Sequence, residues 1–344
     1  MNPTIALLIL SSLATGTVIT ASSFHWFMAW IGLEMNTLAI IPIISKQHHP
    51  RATEAAIKYF LTQAAASALI LFSSTMNAWQ LGTWDITQPT NPTSSILLTI
   101  ALAMKLGLAP THFWLPEVLQ GTTMTTALII STWQKLAPMA LIYLTANNLS
   151  SPTLILMGTL STCIGGWGGI NQTQTRKIMA YSSIAHFGWM AAISTMLTNI
   201  MMLNLIIYIM MTITMFTALI MTKSKTIQNM TTTWALSPAL TTATLLTLLS
   251  LSGLPPLTGF MPKWLIINEL IHQNFIITTS LMTMSTLLSL FFYLRLTYTT
   301  TLTLAPSTPN TTYKWRFPPT LSTPMTTTIP ITLMTLPITP LIIQ

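Results

Sequence analysis

The sequence predicts an all-α polytopic membrane protein with about eleven transmembrane helices, two of them broken in mid-membrane. Three observations carry this. The 344 residues are 51% hydrophobic and only 5% charged, with a mean hydropathy of +0.64, an inventory too poor in polar groups to cover a water-facing surface. The apolar residues fall in runs of about 20, the length at which a helix crosses hydrocarbon with its backbone polar groups satisfied internally. The cations outside these runs gather in alternate links, as positive-inside sorting requires.

In chain order, the first expected span is 3–20. It lacks both the Arg/Ser-rich character of a transit peptide and a cleavage site, so it is expected to stay. Span 24–45 follows, carrying Glu34. Span 52–79 opens with Glu54 and Lys58, whose i, i+4 spacing predicts a local ion pair. Run 94–120 contains Lys105, Gly107, Pro110 and Pro116, and 124–146 contains Lys135. Span 151–170 ends in Gly165-Gly166-Trp167-Gly168-Gly169, which lacks the Lys-Ser/Thr ending of a phosphate loop and predicts close helix packing or a span end. Span 175–196 begins with Arg176 and Lys177 and holds His186; span 198–222 comes next. Run 238–272 contains Gly253, Pro255, Pro256, Gly259, Pro262 and Lys263, and 276–299 carries Arg295. A basic loop, 300–321, leads to a C-terminal span, 322–342, that Pro324, Pro330, Pro337 and Pro340 interrupt. Thr is frequent in the spans, where its hydroxyl can bond to the preceding turn or to a neighbouring helix.

If these spans alternate, one side receives Lys46, Arg51, Arg176, Lys177, Lys223, Lys225, Lys314 and Arg316, and the links on the other side hold no Lys or Arg and a single acid, Asp85. That division places the N-terminus and the basic loops inside and the C-terminus outside. The single cysteine, Cys163, excludes a disulfide framework and cysteine-held iron–sulfur or zinc sites. Although the net charge is +8, the cations are dispersed between apolar runs with no basic stripe, which argues against nucleic acid as a partner. His48 and His49, adjacent in a basic loop, have a poor spacing for a metal and no third ligand in view. Met and Trp are plentiful, which in a lipid-facing chain means packing and interfacial belts.

Chemistry enters through Glu34, Lys105, Lys135 and Lys263, each inside a long apolar run. A charge at the centre of a span costs roughly 2.5–3.5 kcal/mol on insertion scales, so such residues are functional candidates by default. Proline removes a backbone donor and clashes with the carbonyl four residues back, which predicts that 94–120 and 238–272 unwind near their centres. Irregular backbone at that depth is tolerated only where protein buries it or water lines it. A pair of such broken segments points to a transport site, and each break here has a lysine beside it. The charges read as a proton or ion path. His112 at the first break and His186 in span 175–196 are possible relays, a packed and hydrogen-bonded histidine being the alternative at His186. Glu117, Glu269 and Arg295 lie toward span ends, where snorkelling or pairing with another subunit is expected.

Three motifs carry a family resemblance. They are Lys105 with Thr111-His112-Phe113-Trp114-x-Pro116-Glu117-Val118-x-Gln120-Gly121, then Arg176-Lys177-Ile178-x-Ala180-Tyr181-Ser182-Ser183-Ile184-x-His186-x-Gly188, then Leu251-Ser252-Gly253-Leu254-Pro255-Pro256-x2-Gly259-Phe260-x2-Lys263. In this order the chain resembles the antiporter-like membrane subunits of respiratory complex I, in their short, Thr/Met-rich vertebrate mitochondrial style, from about residue 24 to 295. The resemblance implies one integral membrane domain over 1–344, with an antiporter-like core at 24–299 built on inverted repeats. It is truncated at the N-terminus, because only one span precedes the Glu34 helix. It also implies a mitochondrial inner-membrane location with the basic loops in the matrix, and a proton path over Glu34, Lys105, Lys135 and Lys263. The other membrane subunits, neighbouring antiporter-like chains among them, and lipids such as cardiolipin are the implied partners. No motif here binds NADH, flavin (FMN), an iron–sulfur cluster, ubiquinone or a metal, so electron transfer is expected in other subunits. A stand-alone Mrp-type cation/proton antiporter and a purely structural membrane subunit are the other readings.

Overall fold

The computed structural model describes residues 3–88, 90–303 and 323–338, and every named element among them is helical. Helices α1 (Pro3–Ser22), α2 (Trp26–Ile44) and α3 (Pro50–Leu81) are followed by the half-helices α4 (Pro92–Leu106) and α5 (Trp114–Gly121), then by α6 (Met124–Ser131) and α7 (Trp133–Thr145). Next come α8 (Ser151–Gly169), α9 (Thr175–Ile193), α10 (Thr198–Thr222), and the short α11 (Ile227–Thr231) and α12 (Thr233–Leu236). A second pair of half-helices, α13 (Pro238–Ser252) and α14 (Phe260–His272), precedes α15 (Ile276–Leu302) and α16 (Thr323–Met334). Lys314, Arg316 and most of the expected basic loop lie outside the described residues, as do the last residues of the expected C-terminal span.

The described helices follow the expected runs closely. Six stretches are long and apolar enough to cross a membrane: Pro3–Ser22, Trp26–Gln47, Pro50–Leu81, Met124–Thr145, Thr198–Thr222 and Ile276–Leu302. The half-helices Pro92–Leu106 and Pro238–Ser252 are apolar but shorter. Threonine fits these spans by returning its hydroxyl to its own helix: Thr37 donates to Glu34 O at 2.8 Å, Thr99 to Ile96 O at 2.7 Å and Thr241 to Pro238 O at 2.7 Å.

Contacts divide the chain into two compact units, one of residues 1–161 with 190–198 and one of 162–189 with 199–344. In the first, α2 packs against α1 and α3, α3 against α4 and α5, and α7 against α1, α2 and α4. The α1–α2 contact is close because both sides are glycine. A Cβ on Gly16 would stand 2.9 Å from Gly32 O, and one on Gly32 would stand 2.8 Å from Gly16 O. In the second unit, α15 packs against α11, α13 and α14, and α16 against α13. Here the glycine run at the end of α8 is a packing seat. Gly165 meets the Ala185 backbone, Gly166 the Ser285 carbonyl, Gly168 the Tyr181 ring and Gly169 the Phe292 ring.

Both expected breaks are present, and they are built alike. Residues 107–113 separate α4 from α5, and residues 253–259 separate α13 from α14. Gly107 (φ 72°) and Gly253 (φ 83°) adopt the left-handed conformation that ends each first half. The closing bonds match too. Gly107 N–H donates to Met104 O and Leu108 N–H to Ala103 O, while Gly253 N–H donates to Ser250 O and Leu254 N–H to Leu249 O; this is the Schellman pattern at both sites. Pro116 and Pro262 each stand third in the half-helix that follows, where an N–H has no helical acceptor and proline loses nothing. A third interruption, not expected, falls at Thr132 (φ −112°, ψ −69°) between α6 and α7. Two local causes meet there. Thr132 Oγ1 bonds back to Leu128 O at 2.7 Å, which bends helices, and Pro138 removes the N–H that would hold Gln134 O.

The second break is sterically tight: a Cβ on Gly259 would lie 1.8 Å from Ser250 O, a fixed backbone atom. Gly259→Ala should therefore push the break off the end of α13 and lower the thermal midpoint of the membrane-inserted protein, overpacking of this kind costing about 1–3 kcal/mol or more. Gly82→Ala is the comparison: nothing lies within 4 Å of a Cβ there, so its shift reports the backbone strain of φ 73° alone, whereas Gly259 has φ −66° and its shift reports the collision. Equal shifts in the two variants would contradict the tight seat.

Candidate functional site

At the first break, α4 ends with backbone carbonyls that have no further turn to bond. Lys135, on α7 and 1% exposed, donates its ammonium to the carbonyl of Leu106, the last residue of α4, at 2.7 Å. The negative end of a helix is the natural partner of a buried cation. The same amine lies 5.1 Å from the centre of the Trp114 ring, a cation–π distance. Trp114 is fixed in turn. Its Nε1 donates to Met104 O at 3.2 Å, and the Tyr59 ring meets it edge-on at 5.8 Å.

Lys105 sits in the last turn of α4, 4% exposed, and its Nζ is buried with no hydrogen-bond partner among the described residues. Glu34 on α2 also has a buried oxygen, Oε2, without a partner. Its charge acts on Lys105 and on Tyr59. No ion pair within 4.0 Å joins Glu34 to Lys105, so the two act on each other without touching. Lys105 and Lys135, 30 residues apart in sequence, converge on the same helix end. His112 is 3% exposed within the break, its Nδ1 3.3 Å from Pro110 O and its ring 4.2 Å from Phe113.

The second break repeats the central contact. Lys263 on α14, 9% exposed, donates to the carbonyl of Ser252, the last residue of α13, at 2.8 Å. Gly253 makes room for it, because a Cβ there would stand 2.9 Å from Lys263 Nζ. His186 is buried, within electrostatic reach of Lys263 and of the next carbonyl back, Leu251 O. Both Lys263 and His186 line a small void of about 10 Å³ with Tyr293, Ser285, Ser289 and Thr162. The Tyr208 ring packs 5.5 Å from His186.

Other expectations are resolved differently. The Glu54–Lys58 pair forms at 2.5 Å, but Lys58 also binds Glu117 at 2.6 Å. Glu117, expected to snorkel or reach another subunit, thus ties α5 to α3. Arg295 neither snorkels nor seeks an acid; it donates to the carbonyls of Ile170 and Gln172, just beyond the end of α8. His49 accepts from Arg51 N–H and so caps α3. No group of three or more His, Cys, Asp or Glu suited to a metal occurs among the described residues. Sequence reading missed Trp114, Tyr59 and Tyr293 as wall residues. For Trp114 a signal existed, since Trp114-Leu115-Pro116 and Phe260-Met261-Pro262 occupy the same place after the two breaks.

Comparison with known proteins agrees with this geometry. Residues 23–289 match the family profile described as NADH:quinone oxidoreductase/Mrp antiporter, TM, and residues 290–343 match NADH dehydrogenase subunit 2 C-terminus. NADH-ubiquinone oxidoreductase chain 2 of Xenopus laevis is 58% identical over 92% of both chains. That of Polypterus ornatipinnis is 53% identical over 100% of this chain and 99% of its own. Among solved structures, a chain of respiratory complex I from Thermus thermophilus superposes with TM-score 0.85 at 26% identity, over 95% of this chain and 77% of that one. A chain of the Mrp complex from Dietzia has the same fold, with TM-score 0.79 at 16% identity over 87% and 60%. The chain belongs to the NADH-ubiquinone oxidoreductase chain 2 family, the antiporter-like membrane subunits of respiratory complex I.

Proposed function

We propose that this chain carries protons in the membrane arm of respiratory complex I along Glu34, Lys105, Lys135 and Lys263, with His112 and His186 as relays beside the two breaks. The observation that supports this most is the repeated one. At each break a buried lysine holds the final carbonyl of a severed helix, at 2.7 Å and at 2.8 Å. Such an amine has a polar partner whether or not it carries the extra proton, so charge can come and go without unmaking the fold.

The initiating element is the Glu34–Lys105 pair. When the carboxylate approaches, it favours the ammonium; when it withdraws, burial favours the neutral amine, and Lys105 releases its proton toward Lys135 at the same helix end. Moving one charge through the membrane takes about 2.3 kcal/mol per 100 mV. Nothing in this chain supplies that energy, so the drive comes from NADH-to-ubiquinone electron transfer in other subunits, where NADH, FMN, the iron–sulfur clusters and ubiquinone are handled. The Mrp-like fold keeps a second reading open, a self-sufficient cation/proton antiporter, which purified protein in vesicles would reveal by exchanging ions alone.

The same reading makes residues 1–344 one integral domain of eleven spans, in which α8, α9 and α16 cross as well and each half-helix pair crosses once. It lies in the mitochondrial inner membrane beside other membrane subunits, neighbouring antiporter-like chains and lipids such as cardiolipin. The basic links face the matrix and the C-terminus the intermembrane side. An epitope after Gln344 should then be cleaved by protease added outside intact mitoplasts, whereas a matrix-facing epitope would refute the odd span count.

Without a titratable side chain at that depth the passing proton has no built site to occupy, and a charge at the span centre costs roughly 2.5–3.5 kcal/mol, on the order of 100-fold in rate. Lys105→Met in the assembled complex should therefore cut proton pumping measured by pH-dye quenching in proteoliposomes, and Glu34→Gln should uncouple or abolish it. Full proton stoichiometry in both variants would refute the path.

A further inference from the structure

The first unit holds a second buried polar site that the proton path does not use. Trp26, Ser73, Ser74, Asn77, Thr90, Ser94 and Leu98 line a small void of about 10 Å³, room for about one water, where the start of α2, the end of α3 and the start of α4 meet. Trp26 and Asn77 are each 1% exposed, and Trp26 Nε1 and Asn77 Nδ2 are buried donors without an acceptor. The Asn77 carbonyl oxygen is engaged, accepting from Asn91 N–H at 3.3 Å and lying 3.4 Å from Ser94 Oγ, whose one hydrogen it shares with the nearer Asn91 O at 2.9 Å. Ser73, Ser74, Ser94 and Thr90 all give their hydroxyl hydrogens to backbone carbonyls, which leaves oxygen lone pairs as what they offer the cavity.

Two free N–H donors among hydroxyl acceptors, with no charge, fit a neutral ligand that both donates and accepts. Water is that ligand, and an orphaned buried donor is what buried water ordinarily satisfies. The depth of the site gives it a use. Its roof is the link after α3, held to α2 by Trp26 N–H to Trp84 O at 3.1 Å and Ile86 N–H to Phe24 O at 3.0 Å. Exposed Phe24, Trp79 and Trp84 surround it as an interfacial aromatic belt would. From Asn77 the buried face of α3 continues as Ser74, Ile70, Ser67 and Gln63, positions one or two helical turns apart on one side. Gln63 Nε2 is another buried donor without a partner. Because Asn77 pairs with Ser94, α3 and α4 run antiparallel there, so Lys105 lies about 16 Å below Ser94, level with Ser67 and Gln63, about 15–21 Å below Asn77. Ile70 and Ala66, both fully buried, are the apolar residues of that face between Asn77 and Gln63, and Ile70 is the bulky one.

We propose that this pocket holds a buried water, the outer station through which the Glu34–Lys105 pair communicates with the face that carries the Asp85 link, with Ile70 as a hydrophobic gate between them. The hydration stands on the orphaned donors alone, whereas its use by protons rests on the proton-carrying reading of Glu34 and Lys105. Apolar constrictions of this kind close by dewetting.

A map of the assembled complex at water-resolving resolution tests the first part. Ordered water about 2.7–3.2 Å from both Trp26 Nε1 and Asn77 Nδ2 is the expected result, and a collapsed, dry pocket would overturn the site. The gate is tested in proteoliposomes of the whole complex. Ile70→Asn should raise passive proton leak several-fold while Ile70→Val leaves it unchanged, and Ile70→Thr replaces the Asn variant if that fails to assemble. Unchanged leak in a polar variant overturns the gate. Adding Lys105→Met should abolish the new leak; leak that persists overturns the link to the pair. If Lys105→Met alone left pumping intact, the proton reading would fail while the water site still stood.

Discussion

Hydrocarbon tolerates neither an unpaired charge nor an unpaired carbonyl, and in this protein each defect is answered by the other. Breaking a helix in mid-membrane exposes its terminal carbonyls, and burying a lysine exposes an ammonium. Either alone costs several kcal/mol in lipid. Lys135 on Leu106 O and Lys263 on Ser252 O join the two. The rest follows from holding that contact: a left-handed glycine to end the helix cleanly, a proline placed in the next half-helix where its missing N–H is harmless, and an aromatic or glycine surface that leaves the amine room.

The lysines are not equivalent. Lys135 and Lys263 have a carbonyl acceptor, whereas Lys105 has none and faces Glu34 across more than contact distance. A buried group with no partner is the one whose charge state responds most to a neighbour that moves, because nothing else competes for it. The two satisfied amines suit receiving and holding, and Lys105 suits switching. The first unit also holds unpartnered polar atoms on Trp26, Trp30, Asn36, Gln63 and Asn77, in contrast with the closely packed glycine seat at the end of α8.

Much of this was legible in the sequence, for a physical reason. Lipid makes a charge or a Gly/Pro cluster inside an apolar run conspicuous, so Glu34, the lysines and both breaks could be found one residue at a time. What was not legible needs two strands of information that meet only in space. That Lys135 belongs to the end of the Lys105 helix depends on how α7 returns against α4. Glu117 and Arg295 were read as span-end charges, but Glu117 finds Lys58 on α3 and Arg295 finds the carbonyls beyond α8. The bend at Thr132 was hidden because its cause is a hydroxyl back-bond plus Pro138, which sits six residues away in a run that otherwise reads as continuous. The water pocket was hidden by its composition, since serine and asparagine in a Thr/Ser-rich membrane chain attract no notice until two of the donors are seen to lack acceptors.

The packing also limits how a switch at Glu34 can work. Glu34 lies two residues beyond Gly32, whose backbone is pressed against Gly16 so closely that neither position has space for a methyl group. Such an interface has little freedom to slide without losing its contacts all at once. Two kinds of motion remain. The Glu34 side chain can change rotamer, which its unpartnered oxygen allows, or α1 and α2 can shift as one body against α3 and α4. The second would also stretch the Gln134 Nε2 to Asn36 O bond of 3.3 Å that ties α7 to α2. A rotamer change leaves that bond intact and still alters the field at Lys105. The side-chain route is therefore the less costly one, and it places the switch in a single carboxylate whose surroundings are built to stay still.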